Sequence, residues 1–424
     1  MRAMLKQLIA QAVTSPTLRS ARSGRAALLR RIRGTRPQIF YFHQIDDPYS
    51  QLAAQLLPAL AERYDVDFVP HLVPLPIPAA APEAARLAAY ARKDAALLAS
   101  MHGLMFDGTR APGDVAVRAI AGHLAGAPTV QAFAQRAMEL GNALWRGAPI
   151  PPAAKDGEAA LARGGALRQR LGHYLGATFF FEGEWYWGLD RLPYLETRLA
   201  PFRKSGAGPL VKVLEASKTA NPDSGGVIDF FLSFRSPYSY LAADRVQKLA
   251  ARHGATVRLR FVLPMVMRGL PVPRAKQIYI MRDTKREAER LGMPFGRVVD
   301  PVGRGVERGL AVLHHAIAEG RGAEFAESFL RAVFAEGVDA TTDTGLLQIA
   351  ARAGLSAAQV EAALADPSWR PKAEANRVEL FDLGLWGVPS FRVQGCEAHW
   401  GQDRLWAVER DLATMIHSTN SPAA

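Results

Sequence analysis

Three short stretches hold the side chains that could do chemistry. The first, Ser236-Pro237-Tyr238-Ser239, follows an alternating apolar run through Ile228, Phe230 and Leu232. After it, Leu241, Val246, Leu249 and Ala250 recur with a helical period. Alternation marks a buried strand, and the later spacing marks one face of a helix. Pro suits the first helical turn and Ser before it can cap, which predicts Ser236 at the positive end of a helix. A hydroxyl there can hold an anion through a hydrogen bond and the helix dipole. With no Cys in the turn, a thiolate held there must come from a ligand. Lowering a thiol pKa from about 8.5 to about 6.5 takes roughly 2.7 kcal/mol, within reach of a charge-assisted hydrogen bond plus a helix terminus.

The second stretch, Trp386-Gly387-Val388-Pro389-Ser390-Phe391-Arg392-Val393, reads as a turn into a strand. Pro at a strand start predicts a cis bond at Pro389, which would offer the Val388 backbone to an extended peptide. Gln394-Gly395 then turns the chain, and Cys396 to Trp400 reads as the return strand. The third stretch, Gly401-Gln402-Asp403-Arg404, opens a last helix with Leu405, Val408 and Leu412 on its face. Its free N–H groups suit a carboxylate, and Asp403 suits an ammonium group. Thiol, extended backbone, carboxylate and ammonium are together the groups of glutathione.

In these three motifs, their order and their separation, residues from about Val227 to Ile416 resemble kappa-class glutathione transferases and 2-hydroxychromene-2-carboxylate isomerases. That family is a DsbA-like branch of the thioredoxin fold. The turn that carries Cys-x-x-Cys in thioredoxins reads Ser236-Pro237-Tyr238-Ser239 here, and disulfide exchange needs an attacking thiolate. The resemblance implies that Ser236 contacts the glutathione sulfur, with Pro237 and Tyr238 in the same turn. It implies backbone pairing at Val388, next to Pro389, and Gln402 with Asp403 at the γ-glutamyl end. Lys276-Gln277-Ile278-Tyr279 resembles the family's Lys-x-x-Tyr, which places Lys276 on the glycyl carboxylate. One departure stands out: Leu270, in Arg268-Gly269-Leu270-Pro271, occupies the place of a usual Asn.

The same plan occurs earlier in the chain. Phe42 lies on Phe231, Pro48 on Pro237, Tyr49 on Tyr238 and Ser50 on Ser239. Thr178-Phe179-Phe180-Phe181 lies on Ser390-Phe391-Arg392-Val393, and Trp187-Gly188-Leu189-Asp190-Arg191 on Trp400-Gly401-Gln402-Asp403-Arg404. This is an internal repeat of a whole domain. The expected fold class is α/β, with two tandem thioredoxin-like (DsbA-type) domains, each carrying a helical insertion. The expected divisions are a basic helical arm over 1–36, a degenerate domain over 37–202, a linker over 203–226 and the glutathione-site domain over 227–424. The insertions span roughly 82–172 and 273–384. The first copy has Asp47 where the second has Ser236, and Ala177 where it has Pro389. Asp caps a helix but repels a thiolate, so this copy is read as inactive toward glutathione. The other reading sets Asp47 and Asp190 facing a cation or amine.

A chain of 424 residues, 49% hydrophobic and 22% charged, can bury two or three globular cores. A single cysteine excludes an intramolecular disulfide, which fits a reducing compartment, the cytoplasm. The formal charge is +12, yet residues 1–36 hold nine Lys and Arg and no Asp or Glu. The body is therefore nearly balanced and no nucleic-acid partner is expected. The basic arm, helical over Met4 to Ala12 and again over Ala26 to Ile32, can touch an anionic surface. Fusion of two domains whose relatives dimerise also implies an intramolecular pseudo-dimer. Cys396, His314 and His315 read as structural, and no metal is expected. Arg235 and His399 are further candidates beside the site. The functional expectation is a glutathione-dependent transferase or isomerase in which the thiolate, held by Ser236, adds to a small electrophile. The alternatives are a non-catalytic binding or scaffold protein and a thiol-disulfide oxidoreductase relative that has lost its cysteines.

Overall fold

The computed structural model describes residues 2–108, 110–153, 157–206, 208–222 and 225–419. Parts of the first expected insertion (109, 154–156) and of the linker (207, 223, 224), with Met1 and the last five positions, lie outside the described residues. The chain divides into two compact units. One is Arg19–Val213; the other joins Met1–Leu18 to Leu214–Ala424. The division falls inside the 203–226 linker. It also divides the basic arm: α1 (Arg2–Thr14) groups with the carboxy-terminal unit, and most of α2 (Pro16–Ile32) with the amino-terminal one. The second helix of the arm starts at Pro16, ten residues before the expected Ala26, because Pro is tolerated at a first turn.

The amino-terminal unit continues with β1 (Gln38–His43), α3 (Pro48–Arg63), β2 (Asp67–Leu72), α4 (Ala84–His102), α5 (Asp114–Ala125), α6 (Val130–Arg146), α7 (Glu158–Leu171), β3 (Thr178–Phe181), β4 (Glu184–Trp187) and α8 (Leu192–Arg198). The carboxy-terminal unit runs β5 (Val227–Leu232), α9 (Pro237–Arg252), β6 (Thr256–Phe261), α10 (Arg274–Arg290), α11 (Arg304–Ala318), α12 (Gly322–Arg331), α13 (Asp343–Arg352), α14 (Ala357–Ala365), α15 (Trp369–Asp382), β7 (Ser390–Val393), β8 (Ala398–Trp400) and α16 (Leu405–Thr419). Each unit holds one four-stranded sheet, ordered β2-β1-β3-β4 and β6-β5-β7-β8. In both, the first two strands are parallel and the other pairings antiparallel. The registers agree as well: Phe42 pairs with Thr178, and Phe231 with Ser390. These are the residues that the internal alignment superposes.

Two helices were not legible in the sequence. In α7, Gly164 and Gly165 weaken the helical signal. The structure explains Gly164: a Cβ there would lie 2.0 Å from the Leu72 carbonyl oxygen, so only glycine lets α7 rest on β2. In α15 the pattern is charged, with Pro371 in the first turn. This helix is held by buried Asn376, whose side-chain amide donates to the Phe261 carbonyl at 3.0 Å. Cys396 was expected in the return strand; it sits in the turn before β8, its N–H bonded to the Val393 carbonyl.

The inner strand β5 puts Ile228, Phe230 and Leu232 into the apolar core. Its alternate residue Asp229 is fully buried on the other face, opposite Arg258 on β6 and Arg392 on β7. Its carboxylate accepts from Arg258 Nε at 2.6 Å, Arg260 Nε at 2.9 Å and Arg392 Nη2 at 2.9 Å. Glu379 of α15 shares Arg260 and Arg392. Burial alone would raise the Asp229 pKa, but the three guanidinium hydrogen bonds together hold it below the usual aspartate range.

Replacing Asp229 by Asn is expected to cost about 3–5 kcal/mol, the usual result of removing one partner from a buried ion pair. The urea transition of the carboxy-terminal unit should move down accordingly; an unmoved midpoint counters this. A depressed folded-state pKa gives stability that is present above the unfolded pKa and lost as pH falls through the folded one. The gap between wild type and variant should therefore close in acid.

Candidate active site

Because β5 lies antiparallel to β7, the end of β5 and the start of β7 share one edge of the sheet. Ser236 caps α9 there, its Oγ accepting from the Ser239 N–H at 3.1 Å. The same hydroxyl donates to the Val388 carbonyl at 3.3 Å. The Val388–Pro389 bond is cis, as expected. Val388 precedes the paired residues of β7, whose ladder begins at Ser390, and is partly exposed. Gly387 is needed beneath it: an added Cβ would lie 2.5 Å from the Trp400 ring. Pro237 is buried at the first turn of α9, and Tyr238 next to it is half-buried.

Lys276, near the start of α10, lies with Nζ 5.5 Å from the centre of the Trp386 ring, which in turn packs on Trp400 at 5.1 Å. Burial pushes the Lys276 ammonium down to about 8. An indole face offsets some of that loss by a cation–π contact. Gln402 is 1% exposed and faces inward. Its Oε1 accepts from Arg245 Nη1 at 2.5 Å, and its Nε2 donates to Glu287 at 3.0 Å. The side chain is thus engaged within the protein, and Arg245 Nη1 also donates to the Gln402 backbone carbonyl at 3.1 Å. Asp403 follows it in the turn Gln402–Arg404, partly exposed and 3.6 Å from Arg404 Nη1.

Several residues around the site had no sequence argument. The Tyr238 hydroxyl donates to buried Asp283 at 2.8 Å, and Arg286 donates to the other oxygen at 3.1 Å. This pair ties α9, which bears Ser236, to α10, which bears Lys276. A signal existed: Tyr279 and Asp283 on α10 repeat the spacing of Tyr90 and Asp94 on α4. Tyr49 donates to Asp94 at 2.8 Å, just as its counterpart Tyr238 does to Asp283. Arg235 is not available to a co-substrate in this arrangement, since Asp300 holds it by two hydrogen bonds of 2.8 and 2.9 Å. His399 pairs with Asp411 at 2.7 Å. Cys396 is half-buried, and its thiol is raised by burial and by nearby Asp411, the opposite of a reactive thiolate. Among the described residues, no group of three His, Cys, Asp or Glu could hold a metal.

Residues 227–413 match the DSBA-like thioredoxin domain family. The chain is also similar to 2-hydroxychromene-2-carboxylate isomerases: 25% identical to that of Pseudomonas putida over 45% of this chain and 95% of the relative. For the Sphingobium xenophagum enzyme, identity is 26% over 44% of this chain and 97% of the relative. Among solved structures, the cytosolic disulfide reductase DsbM from Pseudomonas aeruginosa with GSH is 20% identical. It covers 46% of this chain and 98% of its own, with a TM-score of 0.35. By the family match, residues 227–413 are a DsbA-like thioredoxin domain.

The amino-terminal unit has the same sheet order but a different interior at the matching place. Asp47 caps α3, accepting from the N–H groups of Tyr49 and Ser50 and from the Ser50 hydroxyl at 2.8 Å. Burial raises it to about 7. Ser50 Oγ also accepts from the Ala177 N–H at 2.8 Å, a donor that proline lacks at the equivalent Pro389. A Cβ on Gly176 would lie 2.5 Å from Gln44 and 3.1 Å from both Asp47 and Ser50. Side chains fill this edge, and Asp47 spends its oxygens on its own helix.

Competitive acetylation followed by mass spectrometry should give Lys276 a titration midpoint near pH 8. Lys248, raised by its hydrogen bond and charge pairing with Asp244, should titrate above the ordinary lysine range. Equal midpoints for the two would refute the burial argument.

Proposed function

We propose that the DsbA-like domain is a glutathione-dependent isomerase or transferase and that the two units are copies of one domain plan, the first without the chemistry. The observation that carries the reading is the Ser236 hydroxyl on the α9 N-terminus, 3.3 Å from the Val388 carbonyl. One small peptide could reach both. The hydroxyl proton now rests on a neutral carbonyl at long range. A sulfur anion beside it is a stronger acceptor, and the helix terminus favours the same charge.

In this reading Ser236 donates to the glutathione sulfur, Val388 pairs with the peptide backbone, and Pro237 and Tyr238 line the turn. Lys276 meets the glycyl carboxylate, which restores its charge. Asp403 and the backbone at Gln402 receive the γ-glutamyl end. The thiolate sulfur adds to an electrophilic carbon: a C–S bond forms, and the displaced electron pair moves onto the substrate's acceptor group, which then takes a proton. In an isomerase, that proton is lost again, the electron pair returns, the C–S bond breaks and glutathione leaves as the thiolate that entered. In a transferase the bond remains. The protein's work is acidification and alignment of the thiol. Similarity to enzymes named 2-hydroxychromene-2-carboxylate isomerase supports the first outcome.

Ser236→Ala should raise the pKa of bound glutathione, read by thiolate absorbance, by about one unit or more and cut turnover roughly tenfold to a hundredfold. A normal thiol pKa in wild type, or an unchanged rate in the variant, rejects the role. S-methylglutathione separates the carboxylate contact from the thiol. Since Lys276 loses its charge as pH rises through about 8, affinity should fall about tenfold between pH 7 and 9. Lys276→Gln should bind weakly with a flat profile; a parallel decline in both proteins would place the titrating group elsewhere.

A further inference from the structure

Helix α2 has no fully buried residue, an unusual state for a helix lying on a domain. Ion pairs and hydrogen bonds hold its inner side. Arg30 pairs with Glu182 at 3.3 Å, Arg19 with Glu184 at 3.8 Å, and Arg198 donates to Ser23 at 3.0 Å. Its outer side carries Ala21, Leu28 and Ile32, seven and four positions apart, which places them in one line along a helix. Leu28 is 58% exposed and Ile32 72%. On the helical wheel Arg25 runs along one flank of that line and Arg31 along the other, both exposed. Arg33, also exposed, follows the helix, and Arg36 beyond it pairs with Asp65 and Asp67.

We infer that this face of α2 docks on an anionic lipid surface, with Leu28 and Ile32 entering the headgroup boundary and Arg25, Arg31 and Arg33 on the phosphates. Charge selects the sign of the partner: residues 16–36 hold seven basic side chains and no acidic one. The apolar line selects lipid over nucleic acid, because a polyanion of phosphates and sugars leaves exposed Leu and Ile in water, whereas a bilayer removes them from it. The helix already lies on its domain, anchored by its inner arginines, so binding orders no new segment. No helix among the described residues is long and apolar enough to cross a membrane, so the contact is peripheral.

The test is cosedimentation of the full chain with phosphatidylcholine vesicles, with and without added phosphatidylglycerol, beside a gel-shift with duplex DNA. Binding should require the anionic lipid and weaken in high salt. Leu28→Glu with Ile32→Glu should reduce vesicle binding by about tenfold or more at unchanged circular dichroism. Arg25→Gln with Arg31→Gln should reduce it severalfold and lower the preference for anionic lipid. No binding to either vesicle overturns the inference. So does DNA binding that equals lipid binding and survives the Leu28/Ile32 change, which would assign the arginines to nucleic acid.

Discussion

The buried carboxylate of Asp229 fixes the sheet of the DsbA-like domain. It stands directly opposite Arg258 on one neighbour strand and Arg392 on the other. A slip of one residue in either pairing would carry that neighbour's arginine to the opposite face and leave the buried carboxylate short of a partner. The ion cluster is therefore less a source of net stability than a lock on register, since buried ion pairs seldom outweigh their desolvation. Register is what the site needs. With Phe231 opposite Ser390, the loop after β5 and the loop before β7 meet, and Ser236 reaches Val388.

The two units hold the same frame and differ in what fills it. Each keeps a Tyr–Asp hydrogen bond of 2.8 Å from the N-terminal turn of the helix after its first strand to its insertion. Each also bonds the glycine after β4 or β8 back to the residue before the adjoining strand, Gly188 to Ala177 and Gly401 to Pro389, at 2.9 Å. These are framework contacts. At the edge itself, an N–H on Ala177 lets Ser50 bridge Asp47 and the opposite loop. Pro389 has no such donor, so Ser239 makes no matching bridge and Ser236 is left facing a carbonyl. Leu87 stands where the spacing to the Tyr–Asp pair would put a counterpart of Lys276. One unit thus fills this place with its own side-chain hydrogen bonds, where in the other the Ser236 hydroxyl meets a carbonyl.

Much of this was legible in sequence because the signals are local. Alternation at Ile228, Phe230 and Leu232 and the Ser-Pro start of α9 depend on near neighbours, and both appear where expected. The insertion helices over Leu87 to Leu98, Val115 to Leu124 and Lys276 to Leu291 likewise follow their own periodicity. The misses depend on contacts far along the chain. Gly164 breaks a helical pattern because of a carbonyl on β2, and Asn376 stabilises a charged helix through the backbone of β6. The inward turn of Gln402 was equally hidden, since Arg245 and Glu287 come from two other helices.

Helix α1 is the chain's opening element, yet Ala10 packs against the core of the carboxy-terminal unit, Thr14 lies beside Gly296, and the helix rests on α10. During synthesis it leaves the ribosome long before its seat exists and must be kept from other apolar surfaces while the intervening unit is made. The matched segment 227–413 expressed by itself would also lack this cover, and the α10 surface beneath it would meet water. A version of that domain that carries α1 back through a short tether is the smallest piece that restores the contact.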